Sequence, residues 1–130
     1  MSQLGMMDFV NDAKSRIKEV DIDAAEAMIA EGCKVLDVRE PMEHSGGAIA
    51  GALNIPRGIL EGAADATNAK GHPDLRDHRD AKWLLVCASG ARSAMATDVL
   101  QKMGFTDVSN MLGGMMAWTQ AEKPLVKQGG

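Results

Sequence analysis

Apolar positions Met6, Phe9, Val10, Ala13 and Ile17 recur at the spacing of one helix face, which predicts a helix over residues 6–18. Asp23 followed by Glu26 reads as a capping-box start to a second helix, with Gly32 as its stop. The pattern then changes. Residues 33–38 read as a short buried strand, residues 46–51 as turn, and residues 52–55 as a second strand closed by Pro56. Residues 57–80 are polar and irregular, with a helical turn or two around residues 59–66. Beyond them the continuous apolar run predicts a central strand over residues 82–87, then a helix over 92–103 that Gly104 ends. A further strand at 107–111 and a helix at 114–121 complete the chain, and nothing repeats internally. Strands alternating with helices predict an α/β fold, a mostly parallel sheet with helices on both faces. In such sheets ligands bind beyond the carboxyl ends of the strands, where Cys87 falls. Residues 1–5 and 123–130 read as loosely held ends.

Composition narrows the function classes. The 130 residues suit one domain with a single sizeable core. A net charge of -4, without basic clusters or stacking aromatics, argues against nucleic acid and anionic membranes as partners. Ten methionines beside two Phe, two Trp and no Tyr point to Met as core filler. No apolar run reaches the length of a membrane span, and the first residues lack a signal-peptide pattern, so a soluble, cytoplasmic protein is expected. The two cysteines, Cys33 and Cys87, form no disulfide framework. His44, His72 and His78 fall at no metal-ligand spacing, so neither a metal nor an organic cofactor is expected. The histidines read as solvated surface groups, with His72 and His78 nearest a pocket rim.

The candidate chemistry lies in Cys87-Ala88-Ser89-Gly90-Ala91-Arg92-Ser93, a cysteine at a strand end followed by a small-residue turn that opens into a helix. Such a turn gathers backbone N–H groups and the positive end of the helix dipole around its centre. A helix N-terminus and a nearby cation both favour a thiolate over a thiol. The same groups cradle an anion, which suits a nucleophile attacking a negatively charged substrate. Cys33 has no loop or cation beside it and reads as inert packing.

Two stretches resemble the rhodanese (sulfurtransferase) family in its single-domain form. The first runs Leu36-Asp37-Val38-Arg39-Glu40-Pro41-Met42-Glu43, continued by Gly47-Ala48-Ile49-Ala50-Gly51-Ala52-Leu53-Asn54-Ile55-Pro56. The second is Cys87 through Ser93, then Gly104-Phe105, Leu112-Gly113-Gly114 and Trp118. Each piece alone is weak, and the ordered set is specific. The likeness spans roughly residues 20–121, leaving 1–19 as an N-terminal helical extension and 122–130 as a C-terminal tail. It implies a rhodanese-like three-layer α/β fold, closest to the polysulfide- and thiosulfate-type members. Ala48 departs from the pattern, standing where the family has His, and His44 stands where an aromatic is common.

The resemblance implies that Cys87 takes a sulfane sulfur from a small anionic donor, becomes a persulfide, and passes the sulfur to cyanide, a thiol or a thioredoxin-like acceptor. The local chemistry agrees, because a thiolate displaces a stable anion such as sulfite from thiosulfate in line. Amides of residues 88–93 would offset the repulsion between anions, at about 3 kcal/mol for each well-aimed donor. Arg92 is placed to pair with the donor's oxygens, the favoured role, or with Asp37 or Glu43. Arg39 and Glu43 read as a structural ion pair under the loop, and Asp37 as a cap on it. Arg57, Arg76 and Arg79, in the segment before the central strand, are candidates for recruiting the donor.

Two other classes compete. A cysteine phosphatase or arsenate reductase also uses a Cys…Arg loop, but its pattern places five residues between the two, and here there are four. A non-catalytic binding or redox-sensing module of the same fold commonly lacks the cysteine, and a sensor would need Cys33 as resolving thiol. Whether the chain is a monomer or a homodimer stays open, since the N-terminal helix fits either its own domain or a second copy.

Overall fold

Strand length and burial set the architecture. In the computed structural model, which describes residues 3–127, the elements run α1 (Met6–Lys14), β1 (Lys18–Val20), α2 (Ile22–Ala30), β2 (Lys34–Asp37), α3 (Pro41–Ser45), β3 (Leu53–Asn54), a 3-10 turn (Arg57–Ile59), α4 (Leu60–Ala64), α5 (Pro73–Arg76), β4 (Lys82–Val86), α6 (Ala91–Lys102), β5 (Asp107–Met111) and α7 (Gly114–Gln120). Among the described residues the strands form one all-parallel sheet in the order β1-β5-β4-β2-β3. Asp37 lies beside Val86 in the register of β2 and β4, so the chain leaving β2 and the chain leaving β4 emerge side by side. The path turns toward β3 after β2 and toward β5 after β4. That reversal leaves a crevice at the carboxyl ends, the usual ligand position in an open parallel sheet.

Side chains alternate along β4 and divide the core. Trp83, Leu85 and Cys87 join Leu36, Ile55, Leu60, Ala96 and Leu100 on one face. Leu84 and Val86 join Ala25, Ile49, Met111, Met115 and Trp118 on the other. A strand buried on both faces reads as a continuous apolar run, which is why residues 82–87 stood out.

Several expectations are corrected. The first helix stops at Lys14 rather than at residue 18, and only Val10 and Ala13 of its apolar stripe are buried; Met6 and Phe9 stay exposed. Residues 18–20 are instead an edge strand paired with β5. Short, half-exposed strands such as this carry too little alternation to be read. Behind it, Arg16 donates two hydrogen bonds to Asp98 on α6, at 2.9 and 2.8 Å, and ties the N-terminal segment to the domain. Asp21, not Asp23, caps α2, its carboxylate accepting from the Ala24 N–H at 2.8 Å. Gly32 ends that helix at φ +98°, in the left-handed region glycine tolerates. Pro41 opens α3, a helix the pattern did not predict. Nor are residues 123–126 loose. Val126 exchanges two backbone hydrogen bonds with Ala48, Lys123 reaches Glu26 at 2.8 Å, and the Trp118 indole donates to the Pro124 carbonyl. Residues 1–2 and 128–130 of the two expected loose ends lie outside the described residues.

Candidate active site

Cys87 directly follows β4, packed into one core layer, and the next residues curl around its sulfur. Gly90 makes the turn possible at φ +96°, where a side chain would be strained. Its N–H donates to Cys87 Sγ at 3.1 Å, the Ser93 N–H at 3.4 Å, and the Ser93 hydroxyl at 3.3 Å. Three donors thus converge on one sulfur atom. The first-turn amides of α6 have no intrahelical partner by helix geometry, so the loop holds more donors than the sulfur itself uses. Cys87 is completely buried, and a substrate must deliver its reacting atom through the ring of the loop.

The glycine pair after β5 explains how α7 supports this ring. Met115 and Met116 donate their N–H groups to the carbonyls of Cys87 and Ala88 at 2.8 and 2.9 Å. The approach is so close that a Cβ on Gly114 would sit 2.5 Å from the Cys87 oxygen and 2.6 Å from that of Ala88. On the other side Asn110, buried in β5, donates to the Gly90 carbonyl at 3.2 Å and to Glu19 at 3.0 Å. Asn110 was not singled out from the sequence. Its strand, Asp107–Met111, carries other polar residues, so nothing local marks Asn110 as the buried amide that needs partners.

The charged residues sort differently from the expectation. Arg39 does not pair with Glu43. It clamps the buried Asp37 carboxylate, at 2.8 Å from Nη2, and also donates to the Gly47 carbonyl. Glu43 instead takes Arg92 in a two-pronged bridge at 2.9 and 3.0 Å, which ties α3 to the first turn of α6. Arg92 is therefore engaged by a carboxylate, and the favoured role on donor oxygens gives way to the pairing with Glu43. That bridge, then the Glu40 N–H, holds the Glu43 carboxyl down at about 2. Asp37 does more than cap. It anchors the Arg39 guanidinium and N–H, and its second oxygen lies 2.8 Å from His44 Nδ1. His44 is accordingly buried rather than solvated, while Ala48, where the family pattern has its histidine, is buried as a small backbone-paired residue.

The three arginines between β3 and β4 are each engaged by the fold. Arg57 pairs with Glu61 at 2.9 Å, Arg76 with Asp77 at 2.8 Å, and Arg79 with the carbonyls of Ala64 and Met103 while lying over the Phe105 ring. Arg76 and Arg79 also lead into the amino end of β4, away from Cys87. The expectation that these three recruit the donor is corrected for Arg76 and Arg79; Arg57 follows β3 at the carboxyl end, in its pair with Glu61. His78 and Cys33 line a hollow of about 490 Å³ at that same amino end. His72 lines another of about 610 Å³ with Asn54, Gly58 and Ile59, at the carboxyl end. Burial pushes the Cys33 thiol up from its ordinary value. Among the described residues no cluster of His, Cys, Asp and Glu is arranged to hold a metal ion, and no helix is long and apolar enough to cross a membrane.

Comparison with known proteins places this geometry. Residues 21–121 match the family model described as rhodanese-like domain. A thiosulfate sulfurtransferase of Arabidopsis thaliana, described as chloroplastic, is 32% identical over 118 residues, covering 85% of this chain and 95% of its own. A Rhodopseudomonas palustris structure of unknown function, described as a possible tyrosine phosphatase, superposes with TM-score 0.87 at 31% identity over 97% of this chain and 99% of that one. The human single-domain sulfurtransferase TSTD1 superposes with TM-score 0.66 at 27% identity, covering 78% of this chain and 95% of that one.

Proposed function

The chain belongs to the rhodanese-like domain family, with sulfur transfer as its general chemistry, and from that premise we propose that Cys87 carries a sulfane sulfur from thiosulfate or a polysulfide to cyanide or a thiol. The observation that carries this reading is the set of three donors on Cys87 Sγ, two of them backbone N–H groups of the loop. In the first half-reaction the Cys87 thiolate attacks the outer sulfur of thiosulfate. The sulfur–sulfur bond of the donor breaks, sulfite leaves with the electron pair, and the transferred sulfur keeps its negative charge as a persulfide. That charge falls where the first-turn amides of α6 converge, and each well-aimed donor is worth about 3 kcal/mol. In the second half-reaction the acceptor attacks the outer sulfur and Cys87 leaves as thiolate. No redox partner is consumed.

A phosphatase reading deserves weighing because of the Rhodopseudomonas relative's description. Such an enzyme needs a loop wide enough for a tetrahedral anion and an arginine free to grip its oxygens. Here four residues separate Cys87 from Arg92, and Arg92 is bound by Glu43. Sulfur transfer asks for neither, and the geometry favours it. The test is direct. After incubation with thiosulfate the intact mass should rise by one sulfur atom, and cyanide should remove it as thiocyanate. Hydrolysis of an aryl phosphate with no sulfur gained would overturn the assignment.

A further inference from the structure

The rhodanese-like domain spans residues 21–121, and β1 lies before it. β1 pairs with β5 so that Glu19 stands beside Asn110. Asn110 is completely buried, and its amide nitrogen donates to two acceptors, the Gly90 carbonyl at 3.2 Å and Glu19 Oε2 at 3.0 Å. The same Glu19 oxygen takes Lys14 Nζ of α1 at 3.1 Å. Asn110 Oδ1 is buried and accepts no hydrogen bond among the described residues. An orphaned buried acceptor costs stability, and what the arrangement gains is orientation. Both neighbours of the amide are acceptors, so only its NH2 group can face them. An Asn χ2 torsion is soft, and one bond to Gly90 would leave the amide free to turn. The Glu19 carboxylate fixes it with a second, charge-assisted bond.

We propose that Glu19 is a positioning residue for sulfur transfer at Cys87, acting through Asn110 on the peptide between Gly90 and Ala91. This deepens the sulfur-transfer reading and rests on it. The Gly90 carbonyl and the Ala91 N–H share one planar trans peptide and point in opposite directions. Fixing the carbonyl therefore fixes the direction of the Ala91 N–H, the first amide of α6. It also restrains Gly90, whose own N–H donates to Cys87 Sγ at 3.1 Å and which has no side chain to hold it at φ +96°. The same carbonyl takes the Ala94 N–H at 3.1 Å, so one oxygen joins β5, the loop and α6. Among the described residues Glu19 bonds to Lys14 and Asn110 through its side chain and to no loop residue, so its effect passes through Asn110. Arg16 ties the same N-terminal segment to Asp98 on α6 by a route that bypasses Asn110.

The experiment compares the full chain with three variants. Glu19→Leu keeps bulk and removes the acceptor, Glu19→Gln keeps an acceptor oxygen without the charge, and Arg16→Gln loosens the same segment away from the loop. Each is assayed for sulfur transfer from thiosulfate to cyanide, and the Gly90 and Ala91 amide resonances are followed by NMR. Glu19→Leu is expected to lower kcat about fivefold with KM for thiosulfate little changed, and to shift both resonances. Glu19→Gln should recover most of the turnover and both resonances, whereas Arg16→Gln should lower the thermal midpoint and keep kcat. In an Asn110→Ala background Glu19→Leu should lower kcat no further, because its route to the loop is already cut. Unchanged kcat in Glu19→Leu, an equal loss in Glu19→Gln, or a loss that multiplies with that of Asn110→Ala would overturn the role. A wild type that gains no sulfur from thiosulfate would instead sink the sulfur-transfer reading, and the two resonances would still decide whether Glu19 sets the loop.

Discussion

The two ends of the same sheet each hold a cysteine, and only one is prepared for chemistry. At the carboxyl end, Cys87 Sγ accepts hydrogen bonds from two backbone N–H groups and a hydroxyl. At the amino end, Cys33 Sγ lies 3.4 Å from the carbonyls of Lys34 and Lys82 and can only donate to them. The groups around Cys87 are donors aimed at its sulfur, and those around Cys33 are carbonyls that need its S–H, while burial raises the Cys33 thiol above its ordinary value. Burial therefore does not decide reactivity, since the completely buried cysteine is the candidate nucleophile and the half-buried one is not. Parallel strands explain the asymmetry. Chains leave the carboxyl ends into helices whose first N–H groups are free, and enter the amino ends from helices whose last carbonyls are free.

The comparison breaks most decisively at the sulfur atoms. Cys87→Ser is expected to lower thiosulfate-dependent sulfur transfer by about a thousandfold or more, with no gain in intact mass, while Cys33→Ser keeps both. The reverse pattern would show that the amino end carries the chemistry. Next in size is Gly114→Ala. Its Cβ would meet two loop carbonyls at 2.5 and 2.6 Å, from a backbone at φ +59°. We expect a stability loss of about 3 kcal/mol in urea unfolding and a loop too displaced to hold its donors on Cys87. Gly32→Ala, at the amino end with nothing near its missing Cβ, is expected to lose less, only the strain of its φ of +98°.

Asn110→Ala sharpens the comparison by loosening one support of the loop. Losing its bond to the Gly90 carbonyl should cost about 1 kcal/mol and lower turnover several-fold, with KM for thiosulfate little changed. Unchanged turnover at reduced stability would make Asn110 a packing residue alone. The smallest effect concerns the bridge between α3 and α6. Folding holds the Glu43 carboxyl at about 2, below its ordinary 4.5, chiefly through Arg92. The ionised form is the stabilised one, so the contribution is complete above pH 4.5 and disappears as pH falls toward about 2. The pair is about a third exposed, which limits the contribution to about 1 kcal/mol or less. Urea unfolding of the wild type should thus weaken more between pH 6 and pH 3 than that of Glu43→Gln; parallel curves would remove the bridge from the account.

Regions with one dominant local signal were legible, and regions defined by partners were not. The apolar run ending at Cys87, its small-residue turn and the helix after it all stand where the pattern placed them, within a residue or two. The same holds for residues 107–111, which are β5 as read. β1 went unseen because three half-exposed residues gain strand geometry only by pairing with β5. His44 looked like a surface histidine because its sequence neighbours are polar. Only the fold brings it to Asp37, across a strand end and a helix turn. Arg39, Glu43 and Arg92 were all marked, yet the pairs came out exchanged: a list of charges says which groups need partners, not which ones meet.

By itself the sequence determined the alternation of buried strands and helices, and with it the parallel sheet and the cysteine at a carboxyl end. Those features follow from side-chain periodicity and backbone preference, which act over a few neighbouring residues. Tertiary structure alone decided that Glu43 takes Arg92 and that Gly114 lets α7 press on the loop. Those are contacts between segments distant in the chain. Their geometry is set by how the layers close over the sheet, a condition that no local stretch of residues contains.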